Sequence, residues 1–460
     1  MPFGNSKHFP PFLRVPIEPD NCAVMRYSSM CDMCSRCAVV CKDYVDVLSR
    51  YDLEKTGDLA VCIYCGQCVT ECSSLGMQEV RHFDKVVAER DSGDKILIAS
   101  TSPSVRVSIG EAFGFPPGSF LQGKLVALLR KLGFDYVLDT NFAADLTVME
   151  EAKELVDRIE GGGRLPQFTS CCPSWVRYCE MVHPDLIPNI STAKSPIGMQ
   201  GPTIKTYFAK KLGIDPSSIV NVAITPCTAK KYEITLDSFG SAGEHLGIEG
   251  LRDMDYVVTA AELAKWARQE NIDFESLDES EFDSIMGESS GAGVIFGATG
   301  GVMQAALREA NKIMTGDYPE NPIVEMVPVK GLKATKSAKA EIGGRELNVA
   351  VVYGTGNATK LIESMRDGGP SYDFIEVMTC PGGCVGGGGQ PKGRHSRGLI
   401  PPSERIESLF DRDEAMNIRM SGENPQIKAV YDEFYGEPGS ELAEQMLHTS
   451  YRDMSDELKL

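Results

Sequence analysis

Two cysteine quartets set the strongest limit on what this chain can fold into. Cys31, Cys34, Cys37 and Cys41 recur as Cys62, Cys65, Cys68 and Cys72, each displaced by 31 residues. Both quartets read Cys-x2-Cys-x2-Cys-x3-Cys. Four thiolates are needed to hold a cubane cluster. Three close cysteines wrap one corner, and the fourth commonly reaches across to a second cluster. By that rule Cys31, Cys34, Cys37 and Cys72 hold one [4Fe-4S] cluster, and Cys62, Cys65, Cys68 and Cys41 hold another. Zinc also favours Cys-x2-Cys, but eight cysteines in duplicated x2, x2, x3 spacing fit two cubanes better. The proline that usually follows the fourth cysteine is missing; Lys42 and Ser73 stand there.

The remaining cysteines are also grouped. Thirteen of the fifteen fall in tight sets with cluster-ligand spacing, leaving Cys22 and Cys179 as packed or spare thiols. A secreted disulfide scaffold fits badly with a 460-residue chain and cysteines packed two residues apart. The first twenty residues are Pro-rich and lack a charged segment followed by an apolar one, so no targeting peptide is expected. No apolar run is long enough to span a bilayer. A reducing, cytoplasmic setting is the expectation. The formal charge of −19 argues against nucleic acid, whose phosphates reward clustered Lys and Arg.

After residue 90 the texture changes. Short apolar runs at 95–99, 136–138, 219–224, 256–258, 347–353 and 374–378 predict buried strands. Helical patterns lie between them at 144–160, 260–269 and 301–313. The expected architecture is an α/β catalytic domain of two lobes with mostly parallel sheets over residues 91–460, ending in a C-terminal helical tail. Residues 1–90 form the two-cluster module, expected to be α+β.

Three further segments carry chemistry. They are Phe168-Thr-Ser-Cys171-Cys172-Pro-Ser-Trp175, Thr225-Pro226-Cys227-Thr-Ala-Lys230-Lys231, and Met378-Thr379-Cys380-Pro-Gly-Gly-Cys384-Val-Gly-Gly-Gly-Gly-Gln390. Cys380 and Cys384 are four apart, so on one helical turn their sulfurs would face the same way. The surrounding glycines would let backbone approach a bulky ligand and leave N–H groups aimed at it. Cys227 follows an expected strand, where α/β proteins place ligands. Adjacent Cys171 and Cys172 diverge, which suggests one ligand and one free thiol.

The N-terminal quartets resemble a bacterial two-cluster ferredoxin, and the three segments resemble the signature segments of the [FeFe]-hydrogenases. The resemblance covers about residues 22–435. It implies interconversion of H2 with protons and electrons at an H-cluster, a [4Fe-4S] cubane joined to a diiron unit with CO, cyanide and azadithiolate ligands. Cys172, Cys227, Cys380 and Cys384 match the ligands of that cubane, and Cys384 matches the bridging thiolate. Cys171 matches the proton-passing thiol. Glu151 and Glu154, with Ser191 as relay between them, match the proton path. Lys230 matches the lysine that pairs with a cyanide ligand. Pro226, Phe296 and Met378 match apolar residues around the cofactor, and Pro103 and Ser104 match the loop on its other side. A soluble ferredoxin or flavodoxin is the implied electron partner, and dedicated maturation proteins supply the diiron unit.

Three positions depart from the best-known members. Thr225 stands for the usual Met, Ser174 for Gly, and Thr379 for Ala. Together they resemble the group B subfamily and suggest altered catalytic bias. Two other functions share the cofactor chemistry: a slow H2 sensor, and a non-catalytic iron–sulfur carrier of the kind used in cluster assembly. Taken alone, Glu151 and Glu154 read as solvated helix charges, and Phe296 and Met378 as plain core. The run from Phe296 to Gly301 reads as a tight turn rather than a dinucleotide fingerprint. The scattered histidines, from His8 and His82 to His395 and His448, suggest no site.

Overall fold

The computed structural model describes residues 14–392 and 400–459. Residues 1–13, with His8 and much of the Pro-rich start, lie outside the described residues, as do 393–399 with His395.

Strands β1 (Val24–Arg26) and β2 (Met77–Glu79) pair antiparallel and bracket the cysteine quartets. The short helices Arg36–Asp43 and Gln67–Thr70 begin after the second cysteine of each quartet and carry the third, each entered through a left-handed residue, Ser35 and Gly66. The helix Phe83–Ser92 straddles residue 90 and buries Phe83 and Val86 against the large sheet core that follows.

Two sheets make up the rest. The first has the order β4-β3-β6-β7, with β3 Ile96–Thr101, β4 Tyr136–Asp139, β6 Ile219–Thr225 and β7 Tyr256–Thr259, all parallel. Helices cover both faces of such a sheet, so its strands are apolar throughout. Every residue of β6 is buried. The second sheet runs β5-β11-β10-β9-β8, with β5 Gln167–Phe168, β8 Val327–Pro328, β9 Thr335–Ile342, β10 Arg345–Tyr353 and β11 Phe374–Met378. It is parallel from β5 to β10 and antiparallel beyond. The β9–β10 hairpin turns on Gly343 and Gly344, both at positive φ, which a tight two-residue turn requires.

The long helix Thr140–Gly161 packs between the sheets, against the helices Gly301–Thr315 and Pro196–Thr203. Asp139 caps it by accepting from Asn141 N–H at 2.7 Å, and Gly162 ends it in the left-handed conformation. Helices Ser403–Ala415, Pro425–Val430 and Glu441–Leu447 form the C-terminal segment. Buried ion pairs bind it down: Arg405 to Glu111 at 2.6 Å, and Asp413 to Arg308 at 2.9 Å. No helix among the described residues is long and apolar enough to cross a membrane.

Candidate active site

The site residues leave from the carboxyl ends of four strands. Pro103 and Ser104 follow β3, Cys171 and Cys172 follow β5, Pro226 and Cys227 follow β6, and Thr379 and Cys380 follow β11. Parallel strands end on one side, so chain segments far apart in sequence converge there. The two sheets bring their carboxyl ends together around one cavity of roughly 490 Å³. Pro103, Ser104, Cys171, Thr225, Pro226, Cys227, Lys230, Phe296, Met378 and Cys384 all border it. Phe296 and Met378 are thus core residues with one face on the cavity. Unexpected neighbours are Ala144, Pro196, Ile197 and Gly297.

The ligand segment departs from the expected geometry. Cys380 and Cys384 do not share a helical turn. Gly382 and Gly383 lie between them at φ 73° and 93°, which no right-handed helix tolerates, and Cys384 opens a separate 3-10 turn. The following glycines let chain segments approach one another closely. A Cβ on Gly387 would sit 2.2 Å from Pro226 O, and one on Gly388 would sit 2.4 Å from Cys65 O. These close approaches lock the third segment onto the second and onto the second N-terminal quartet.

The four thiols of Cys172, Cys227, Cys380 and Cys384 face one another. Burial, then the charges of Cys227, Cys172, Cys65 and Cys384, pushes the Cys380 thiol well above its usual range. Burial raises Cys227 to about 11, with the neighbouring Lys230 pulling the other way. Thiols packed so closely ionise only if a cation neutralises them, which is what an iron–sulfur core supplies. Cys172 Sγ also lies 3.5 Å from Thr379 Oγ1.

Cys171 is buried beside this group. Its thiol is held far above its usual value by burial and then by Glu151, so it keeps its proton. Lys230 reaches the cavity from the opposite wall. Its Nζ donates to Cys171 O at 3.2 Å and pairs with Glu233 at 2.8 Å.

Glu151 and Glu154 are not solvated helix charges. Glu151 is 1% exposed, and no donor meets its side-chain oxygens at good hydrogen-bond geometry, the Ser170 main chain being the one group near enough to favour the charged form. Burial, then repulsion from Glu154 and Glu376, lifts its pKa well above the carboxylic range. Glu154 accepts from Ser191 Oγ at 2.7 Å and from Thr192 N–H at 3.0 Å. Ser191 therefore bonds the outer carboxylate, not both. Glu376 escaped the sequence reading, although an acid inside the apolar strand Phe374–Met378 is a visible anomaly. It is buried, raised to about 7 by desolvation, and accepts from Gly300 and Met303 N–H at 2.6 and 3.0 Å.

The N-terminal thiols form two groups. Cys31, Cys34, Cys37 and Cys72 line one cavity of roughly 310 Å³. Cys41 is partly buried and pushed up to about 12 by desolvation and then by Cys62. The thiol of Cys65 is raised by burial, then by Cys68, Cys62 and Cys41. The fourth cysteine of each quartet thus faces the other quartet's first three. Among the described residues no three His, Cys, Asp or Glu side chains converge on a point fit for a single ion. The second quartet docks on the catalytic segments: Ser174 Oγ donates to Ile63 O at 2.9 Å, Thr228 Oγ1 to Tyr64 O at 2.7 Å, and Arg177 Nε to Cys62 O at 2.9 Å. Cys179 is a packed thiol, fully buried.

Comparison with known proteins bears on this geometry. Residues 95–388 match the family described as iron only hydrogenase large subunit, C-terminal domain, and residues 403–454 match the iron hydrogenase small subunit. The chain is 41% identical to the NADP-reducing hydrogenase subunit of Solidesulfovibrio fructosivorans, over 93% of this chain and 74% of that one. It is 40% identical to iron hydrogenase 1 of Clostridium pasteurianum, over 92% and 74%. A solved structure of an [FeFe]-hydrogenase from Chlamydomonas reinhardtii superposes with a TM-score of 0.72 at 37% identity, covering 81% of this chain and 99% of that one. A more distant relative is the nuclear prelamin A recognition factor of Danio rerio, 29% identical over 86% of each chain.

Proposed function

This chain belongs to the iron-only, or [FeFe], hydrogenases, and from that premise we propose how its own residues serve the interconversion of H2 with protons and electrons. The observation that carries the reading is the single cavity on which Cys171, Cys227, Cys384, Lys230 and the apolar walls converge. Cys172, Cys227, Cys380 and Cys384 would hold the active-site cubane. Cys384, which borders the cavity, would bridge to the diiron unit. When bound, that unit supplies the metal at which hydrogen is split or formed.

The residues supply position and protons. Lys230 brings a buried ammonium to the wall, suited to an anionic ligand through a charge-assisted hydrogen bond. Pro103, Pro226, Phe296 and Met378 exclude water. Cys171 keeps its proton on Sγ next to the cavity, where it can be handed inward and replaced. Glu151, a neutral acid behind it, is the next holder, and Ser191 with Glu154 forms the outer end of the path.

Electrons would pass through two ferredoxin-like [4Fe-4S] clusters in the segment up to residue 90. Cys31, Cys34, Cys37 and Cys72 would hold the outer one, with Cys34 at the surface. Cys62, Cys65, Cys68 and Cys41 would hold the inner one. Cys65 is among the charges that raise the Cys380 thiol, which supports an inner cluster held close to the active-site one. A soluble ferredoxin or flavodoxin in the cytoplasm would be the carrier, and maturation proteins would insert the diiron unit.

The test is hydrogen evolution from a reduced viologen dye after loading with the diiron cofactor, confirmed by CO and cyanide infrared bands. Rapid evolution is expected, and Cys171→Ala should lower it by about 10²–10⁴-fold with the infrared bands intact. Loaded protein without turnover would point instead to a sensor, or to the iron–sulfur assembly role named for the distant relatives of Bos taurus type.

A further inference from the structure

We propose that His448 is a positioning residue for the outer end of the proton path, acting on Glu154 through Thr192. The inference rests on the reading of Glu154 and Ser191 as that outer end. His448 comes from the C-terminal segment, far in sequence from the path, yet it is built into it. Its Nδ1 lies 2.8 Å from Thr192 Oγ1, and its Nε2 lies 3.1 Å from Glu150 Oε2. Thr192 gives its main-chain N–H to Glu154 Oε2, the same oxygen that accepts from Ser191. Backbone pairing fixes the register. Ala193 and His448 form an antiparallel bridge, Thr449 N–H donates to Thr192 O at 2.8 Å, and Lys194 N–H donates to Leu447 O at 2.8 Å. Tyr451 OH adds a bond to Ser191 O at 2.7 Å.

The donor pattern follows from the partners. Glu150 already accepts from Tyr431 OH at 2.5 Å and Gly439 N–H at 2.8 Å. A carboxylate can only accept, so Nε2 carries a hydrogen toward it. In the neutral ring Nδ1 is then a lone pair and takes the Thr192 hydroxyl hydrogen. In the imidazolium Nδ1 also donates, so the Thr192 hydroxyl must accept and turn its own hydrogen away. One proton on His448 thus reverses the hydroxyl beside the relay. It also puts a positive charge near Glu154, which favours the Glu154 carboxylate.

The charged and titratable groups that face the ring are Glu150 and Glu154 from the helix Thr140–Gly161, and Glu444 from His448's own helix. Tyr431 stands behind Glu150. Glu444 lies 3.8 Å from Nδ1 and is more than half exposed, a link to solvent. Burial opposes the charged ring, but the bond and charge of Glu150, then Glu444 and Glu154, outweigh it and raise the imidazole above its ordinary value. The ring therefore keeps its proton to a higher pH than a free imidazole does.

The experiment uses the loaded holoenzyme and compares the parent with H448Q, E150Q and E154Q. Dye-linked turnover is followed from about pH 5.5 to about pH 9, the span of imidazole titration. In parallel, infrared difference spectra follow the Glu154 carboxyl band, identified by its loss in E154Q. Gln keeps a two-sided hydrogen bond without titrating. In H448Q the turnover profile should lose one inflection, and the Glu154 carboxyl band should shift in frequency as the hydrogen bonding beside it changes. In E150Q the inflection should move down by about one pH unit, a tenfold loss of proton affinity. Profiles and bands in H448Q that overlay the parent would overturn the proposal. If H448Q does not fold, an unmoved inflection in E150Q overturns it instead. Full turnover in E154Q would overturn the path itself, and this inference with it. A dead E154Q beside an unchanged H448Q would overturn the inference alone.

Discussion

Glu151 and Glu154 stand one turn apart on the same helix, and only Glu154 is held. Its oxygens take Ser191, Thr192 and Arg158. Glu151 is buried, and no donor meets its side-chain oxygens at good hydrogen-bond geometry. A carboxyl in such a place is stable only as the neutral acid. The helix therefore carries a proton store on the inside and an anchored, partly exposed carboxylate on the outside. In the proposed path, that asymmetry would set a direction from solvent toward Cys171.

Glu151→Gln tests the store. Turnover should fall by about 10²–10⁴-fold, because Gln cannot exchange a proton. Stability should move the other way as pH rises. The raised folded-state pKa of Glu151 means its contribution is complete below the unfolded value, and is lost as pH rises from there through the folded one. Gln has no such loss. Thermal melts followed upward from about pH 4, the ordinary carboxyl value, should show the variant gaining on the parent as pH rises. Parallel melting curves at every pH would show that Glu151 has donors in solution and is not held neutral.

Much of this arrangement was legible in the sequence, for identifiable reasons. Cluster ligands must sit at fixed spacings, so Cys31 to Cys72 announce themselves. Strands buried on both faces are continuous apolar runs, so Ile219–Thr225 and Phe374–Met378 stood out within a residue of their ends. The strand Thr335–Ile342 did not, because it lies at the open side of its sheet and reads TKSAKAEI, with little apolar pattern. The Cys380 to Cys384 geometry was misread because spacing of four suggests a helix, while Gly382 and Gly383 permit a left-handed path that spacing cannot reveal. His448 was invisible for a deeper reason. Its role depends on where the C-terminal segment docks, and that is fixed by buried pairs such as Arg308 with Asp413.

Lys231 and Glu262 bear on how the N-terminal segment is held. They pair at 2.6 Å with both side chains fully buried. Lys231 also donates to Val80 O, and Glu262 accepts from His82 N–H at 2.6 Å. The pair thus ties the end of the two-quartet segment to β7 and its helix. Lys231→Met leaves Glu262 as an uncompensated buried charge and should cost about 3–5 kcal/mol. Adding Glu262→Met should recover much of that loss. Chemical denaturation with iron–sulfur absorbance as a second probe checks both. A single variant as stable as the parent would mean the segment is not anchored through this pair.

Thr225 borders the cavity, but its hydroxyl is engaged elsewhere. Oγ1 lies 3.2 Å from Cys227 O and accepts from Cys227 N–H at 3.3 Å, closing the turn that presents Cys227. Thr225→Met exchanges that turn bond, worth about 0.5–1.5 kcal/mol, for a thioether directed at the cavity wall. The Tm should fall modestly, and the ratio of hydrogen evolution to uptake should shift. An unchanged ratio in loaded protein would remove Thr225 from any part in catalytic bias.

Thr379 differs from Thr225 in what its hydroxyl touches. Its Oγ1 accepts from the Cys172 thiol at 3.5 Å; a cluster-bound Cys172 would be a thiolate with no hydrogen to give, so the hydroxyl would then have to turn and donate to the sulfur. Hydrogen bonds to cluster sulfurs are among the groups that set a cluster's potential. A donor to thiolate sulfur stabilises the more negative, reduced state, so removing it disfavours reduction. Thr379→Ala should therefore lower the potential of the active-site cubane while leaving the proposed N-terminal clusters unmoved. Redox titration of the cluster-loaded protein, followed by electron paramagnetic resonance, reads each cluster separately. Removing one buried methyl-sized contact and a hydroxyl changes little else, because Thr379 makes no other side-chain hydrogen bond among the described residues. A cubane potential that stays put would show that Thr379 points its hydroxyl hydrogen away from Cys172, and that its difference from Ala is a matter of packing.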